Sequence, residues 1–190
     1  RPGVSEIGEP AHNFTIDYPG IQPNIELFNS KAAGIGVVNV LPEIDGVVRR
    51  MPMVVSSGGL LYPSITLETL RVAVGDPSFQ VKSTVSGIEA VRIPKFAKIT
   101  TDPVGRVWVD WSSKPIEHSL VDLPRSLDGG IVIVGLTARG LNNPVSTATG
   151  GVYPHYLQAA LLDTLTSGTS ISRPDWADGA EVLTIIVLSV

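Results

Sequence analysis

Apolar positions along this chain follow two periods, and the places where one gives way to the other mark its elements. Ile131 to Val134 is an unbroken β-branched run, the pattern of a strand buried on both faces. It ends at Gly135, and a polar loop over 137–150 follows. From about Val152 to Ser167 the period becomes helical, with Leu157, Ala160, Leu161 and Leu165 as the buried stripe and Gly168 as the stop. A strand, a glycine, a polar loop and a helix in that order make the usual place for a pocket in an α/β sheet, because backbone N–H groups and loop side chains converge there.

The same reading extends to the rest of the chain. Residues 1–24 carry Pro2, Pro10, Pro19 and Pro23 with little periodicity, an extended and mostly irregular lead-in. A short helix is expected between Asn24 and Ala33. Gly34 to Val40 and Val47 to Val55 read as two strands of a β-hairpin, joined by a turn at Leu41–Gly46 in which Asp45-Gly46 supplies the bend. Tyr62 to Val74 reads as a helix, with Pro63 in its first turn, Gly75 just beyond it, and Leu67, Leu70 and Val74 on one face. Strands are expected at Gly87–Ile93 and Arg106–Trp111, the latter entered through a turn at Asp102–Gly105. A short helix falls near Ser119–Pro124. The sum is a mixed α/β (α+β) fold in one domain: a mixed sheet with a β-hairpin and flanking helices.

Composition narrows the function. Only 17% of residues are charged, against roughly 25% in an average soluble domain, so the chain is poorly dressed for free life in cytosol. A net charge of −4 with no cluster of Lys and Arg argues against nucleic acid. The absence of cysteine removes disulfides and thiol chemistry. Arg1 is not an initiator methionine and no leader segment opens the chain, which reads as a stretch of a longer protein. Val182 to Val190 is apolar to the last residue. It fits either a buried final strand or the first half of a membrane helix, since a full span needs about 20 residues.

Candidate chemistry is sparse. Thr137 stands where a strand-to-turn nucleophile would, with no convincing triad, and His118 and His155 are not paired with it by spacing. Gly135 to Gly140 contains no lysine, so it makes no phosphate cradle. His12, His118 and His155 are too scattered for a zinc site. No metal and no cofactor is expected. On the 47–55 strand each face is apolar except for one arginine, Arg49 or Arg50. Either one arginine lies at the rim with its stem over apolar surface, or the other is held partly buried by a carboxylate or awaits an anion. His155, just after Pro154, is either a packing and capping residue or a pocket residue facing the 137–150 loop. Arg139 is the other loop residue to watch, whereas Asp110 and Trp111 read as structural.

Taken in order, these blocks resemble a known family. Asp45-Gly-Val-Val-Arg-Arg-Met-Pro-Met53, Tyr62-Pro-Ser-Ile-Thr-Leu67, Gly105-Arg-Val-Trp-Val-Asp-Trp111 and Gly130-Ile-Val-Ile-Val-Gly-Leu-Thr-Ala-Arg-Gly-Leu141, followed by Gly151-Val-x-x-His155, are similar to the type-two CHASE domain, a sensory extracellular module of bacterial receptors. The resemblance covers roughly 34–176. Two departures stand out. The family usually opens with an earlier strand-helix-strand portion bearing a Trp-Pro motif, so a partner chain or second molecule is expected to cover an exposed sheet edge. Where the family has an aspartate and then Thr-Pro, this chain reads Asn142-Asn-Pro-Val-Ser-Thr147.

The resemblance implies a non-catalytic sensor at a bacterial inner membrane, facing the periplasm or exterior. Its parts are a lead-in over 1–33, a sensor core over 34–172, and a juxtamembrane segment over 173–190. In the last, Arg173-Pro-Asp-Trp176 leads into a membrane helix, with Asp175, Asp178 and Glu181 on the outer side. The parent output is a nucleotide cyclase, or else a histidine or Ser/Thr kinase. The ligand-binding candidates are Arg49, Thr137, Arg139 and His155, for an unknown small molecule or protein signal, and a homodimer is possible. The competing classes are a small α/β hydrolase or transferase using Thr137 or His155, and a ligand-free dimerisation module.

Overall fold

The computed structural model describes residues 2–112, 114–123, 126–127, 129–138, 140, 142–171 and 176–189. The strands are β1 (Gly3–Gly8), β2 (Arg50–Pro52), β3 (Val54–Ser57), β4 (Leu60–Pro63), β5 (Ser78–Thr84), β6 (Gly87–Ile93), β7 (Ala97–Thr100), β8 (Arg106–Trp108), β9 (Val145–Thr147) and β10 (Gly150–Val152). The helices are α1 (Glu26–Asn29), α2 (Ile65–Ala73), α3 (Pro154–Ser167) and α4 (Ala177–Leu188), with 3-10 turns at Ala11–Asn13 and Leu120–Asp122. The fold is mixed α+β. One four-stranded mixed sheet has the order β1-β5-β6-β7, and three two-stranded pieces, β2/β8, β3/β4 and β9/β10, surround it.

The main sheet forms where local pairing is easiest. β5 alternates Phe79, Val81 and Ser83 inward with Lys82 and Thr84 outward, and it turns through Val85-Ser86 directly into antiparallel β6. β1 joins the far edge of β5 in parallel, Val4 opposite Phe79 and Ile7 opposite Lys82. The expected irregular lead-in is therefore partly a strand. All six of its residues are exposed, so it carries no buried face for a hydrophobic pattern to announce.

Helix α2 starts where Ser64 accepts a hydrogen bond from the Leu67 N–H at 3.2 Å. Tyr62 and Pro63 belong to β4, not to the helix. α3 opens with Pro154 at its first position and ends at Gly168, whose φ of +71° is left-handed and favours glycine. Leu157, Ala160, Leu161 and Leu165 are buried, and they join Leu67, Leu70, Phe79, Val91 and Val107 in one core. Thr164, fully buried, accepts from the Asp110 N–H at 3.0 Å and donates to the Ala160 carbonyl at 2.7 Å, fastening α3 to the exit of β8.

Two expectations fail, each for a visible reason. The 34–40 and 47–55 hairpin does not form: β2 pairs with β8, β3 pairs with β4, and 34–40 makes only the single bridge Val37–Ser64. The Asp45-Gly46 turn is present, with Gly46 at φ +79° and the Val47 N–H donating to Asp45 Oδ1. Residues 34–40 instead lie as a strap across α2. A Cβ on Gly36 would come 2.5 Å from Ile65 Cα, and one on Gly34 would come 2.3 Å from Glu68 Oε1. These glycines permit close approach rather than building a ladder.

The run 131–136 forms no strand and pairs with none among the described residues, and it is exposed throughout, from 36% at Ile133 to 80% at Val134. It is not the buried central strand its pattern suggests. The 137–150 loop holds the hairpin β9/β10, and Val48 donates its N–H to the Ser146 carbonyl on β9 at 2.8 Å. The apolar C-terminal stretch is helical, as α4, so it is not a final strand. Arg173-Pro-Asp and Arg139 lie outside the described residues.

Candidate functional site

A cleft of about 460 Å³ opens between α2, α3 and the 133–136 segment. α3 contributes His155, Gln158 and Leu162, spaced to fall on one helical face. α2 supplies Ile65, Thr66 and Thr69, the strap adds Val38, and Asn142 closes the rim. The two helices are joined across its floor, where buried Thr66 donates through Oγ1 to Gln158 Oε1 at 2.8 Å. Thr69 spends its hydroxyl on the Ile65 carbonyl at 2.7 Å. Asn142 Nδ2 donates to the Leu136 carbonyl at 3.2 Å, holding the exposed segment to the loop that follows it.

His155 is the pivotal side chain. Its ring stacks on Tyr153 with centroids 6.0 Å apart and planes 13° from parallel. Its Nδ1 is buried and has no hydrogen-bond partner among the described residues, an arrangement that costs free energy. Gly135 packs against the imidazole, so that a Cβ there would sit 2.1 Å from the ring Cγ. Only glycine lets the 133–136 segment come this near, and this contact brings Gly135 and His155 together at the cleft.

The other sequence candidates are placed elsewhere. Thr137 is exposed beyond the lining. Arg49 does not reach the cleft; its guanidinium pairs with Asp45 at 2.7 Å and Glu43 at 3.4 Å. Arg50 is the more enclosed of the two, bound to Glu43 at 2.8 Å and Asp102 at 3.0 Å, with its guanidinium carbon 4.9 Å from the Trp108 ring centroid. Arg106 reaches the same Asp102 oxygen at 2.9 Å. Both arginines of the Asp45-Gly-x-x-Arg49-Arg50 block therefore hold carboxylates, and together they tie the 43–49 turn to the 102–106 turn. The Arg49 guanidinium pulls the Asp45 carboxyl below its ordinary range, and that carboxylate raises Arg49 in return.

A second ionic group, Glu68 with Arg71, is buried in α2. The fork is bidentate at 2.8 and 2.7 Å, and Arg71 also donates to the Asp76 carbonyl. The Glu68 carboxylate raises Arg71 above its ordinary value. A shallower hollow of about 350 Å³ beside Gly34 and Val72 has this already paired Glu68 as the only charge among its described lining residues.

Among the described lining residues no hydroxyl faces a base, since Thr66 donates to an amide oxygen and Thr69 to its own helix. Among the described residues no group of His, Cys, Asp and Glu is gathered for a metal ion. Gln158 and Thr66 are not among the sequence candidates. A signal for Gln158 exists: a polar residue adjoining the buried stripe of a predicted helix, three positions after His155. Nothing in the sequence joins Thr66 to it.

No curated protein and no solved structure matches the chain. A CHASE2 domain model matches residues 7–190, nearly its whole length, and the chain belongs to that family. CHASE2 domains are extracellular sensory domains of signalling receptors, non-catalytic in themselves.

Proposed function

We propose that this domain is the extracytoplasmic sensor of a bacterial transmembrane receptor, with the α2–α3 cleft as its signal site and α4 as the outer end of a membrane helix. The observation that carries the reading is α4 itself. Val182, Leu183, Ile185, Ile186, Val187 and Leu188 are each more than half exposed, so the helix is apolar around its circumference. Thr184, the polar residue among them, returns its hydroxyl to the Ala180 carbonyl at 2.7 Å. A helix apolar on all sides is at home inside a larger apolar phase, not on a wet surface. No helix among the described residues is long and apolar enough to cross a membrane; in this reading α4 is the apolar outer end of one.

Signalling follows from differential binding. A small molecule that fits one arrangement of α2, α3 and the 133–136 segment better than another shifts the population, and residues 173–190 pass that shift to the membrane. The output is a nucleotide cyclase, or else a histidine or Ser/Thr kinase.

Alkaline phosphatase and a fluorescent protein, each fused after Ser170 of the receptor in living cells, test the topology. Active phosphatase with a dark fluorescent fusion is the expected result. A bright fluorescent fusion with inactive phosphatase overturns it.

A further inference from the structure

We infer that the α2–α3 cleft takes an uncharged small molecule with an aromatic or alicyclic body and one carbonyl or amide group. The inference rests on the sensor reading of that cleft and specifies what enters it. No Lys, Arg, Asp or Glu is present among the described residues lining the cleft. The cations on Arg49, Arg50 and Arg106, none of which lines the cleft, are committed to Glu43, Asp45 and Asp102. Among the described residues no guanidinium or ammonium is there to replace the hydration an anion would give up on entering this space, and an isolated buried charge is costly.

The apolar walls come from Ile65, Ile133, Leu136 and Leu162, which suit a flat hydrocarbon body. Two groups are left to read a polar function on that body. Gln158 is buried, and its amide oxygen is occupied by Thr66, which orients the amide nitrogen as a donor for a ligand oxygen. His155 lines the cleft beside it; its Nδ1 is buried against Gly135, where a Cβ would sit 2.2 Å away, so an amide N–H reaches it only as the 133–136 segment lifts. A carboxamide presents both complements at once, an acceptor for Gln158 and a donor for His155. A carboxylate presents only acceptors.

The pair benzamide and benzoate separates these cases, because the two share a shape and differ in charge. Each is titrated into the isotope-labelled chain while the Gln158 side-chain amide is followed by NMR, with indole and indole-3-carboxylate as a second pair. Benzamide is expected to move the Gln158 signal and to bind at least about tenfold more tightly than benzoate. The Gln158→Leu variant, which keeps the volume of the floor, loses that preference. In Leu162→Phe, which fills the cleft, the shift disappears while the rest of the spectrum is retained. Equal or tighter binding of benzoate overturns the inference and leaves the sensor reading standing, as does the absence of any Gln158 shift at millimolar concentrations of either pair. The phosphatase fusions report on the sensor reading independently of all four compounds.

Discussion

Val54, Val55, Val81 and Val91 are fully buried, whereas Val132 and Val134, in a run of the same β-branched character, are 55% and 80% exposed. The difference is one of partners. β5 finds β6 two residues away in sequence and β1 along its other edge, whereas no described strand pairs with 131–134. A β-branched run states a preference for extended backbone and for burial, but burial is delivered by neighbours, and a hairpin neighbour comes with little loop entropy to overcome. The 131–136 segment is held at its end instead, by Gly135 against His155 and by the Asn142 bond to Leu136.

The contrast is broken most sharply by truncation. Phe79→Ala, in the centre of the paired region, should cost about 3–5 kcal/mol, while Val134→Ala should change stability by less than about 0.5 kcal/mol. Urea denaturation of the two variants checks this. A large loss from Val134→Ala would mean that the exposed run is covered in solution.

Charge gives the next test, because the buried Glu68 and Arg71 are held as a fitted pair. Glu68→Leu leaves the Arg71 guanidinium buried without its fork and should cost about 3–5 kcal/mol. Glu68→Leu with Arg71→Met should recover most of that loss in the same denaturation experiment. Failure of the double variant to recover would assign Arg71 a separate role through the Asp76 carbonyl.

Gly135→Ala probes the exposed side. In a tightly packed core a methyl driven this far into a ring costs about 1–3 kcal/mol. Here the segment has space to lift away, so a thermal melt should show a loss of less than about 1 kcal/mol, with the His155 ring signals displaced. A loss of core size would show that the segment is clamped.

The smallest effect concerns pH. Asp45 is lowered chiefly by its hydrogen bond to Arg49, Glu89 by Lys82, and Asp110 by the Ser112 hydroxyl. A carboxyl lowered in the folded state contributes stability that is fully present above its unfolded value. That contribution is lost as pH falls through the folded one. From the ordinary values of 4.5 for Glu and 3.8 for Asp, stability should be level at neutral pH and decline as acid passes below them. All three groups lie at the surface, so the decline is shallow. Asp45→Asn should flatten part of it in denaturation curves recorded across that range.

Legibility in the sequence follows the same division. β6 is readable to the residue because Gly87 and the alternation after it need only adjacent strands, and α3 because its stripe and its Gly168 stop are local. The 34–40 strap passes for a strand because its valines hide the purpose of Gly34 and Gly36, which is contact with α2. At the candidate site, His155 and the Gly135 turn are visible as a strand-loop-helix junction. Thr66 is not, since its bond to Gln158 spans 92 positions. Arg49 looks free in the sequence because the Leu41–Gly46 turn reads only as a bend, whereas in the fold it brings Glu43 and Asp45 back onto the guanidinium.

The bond from Asp110 to Thr164 gives α3 a fulcrum. His155 lies nine residues before it, about 13 Å along the helix axis, and Gly168 only four residues beyond, about 6 Å away on the other side. Mechanically the helix is a lever with unequal arms. A push of about 1 Å at the long arm tilts it by roughly 4°, and the short arm swings the opposite way through less than half the distance. A displacement applied at His155 about that point would reach Gly168 reduced and inverted.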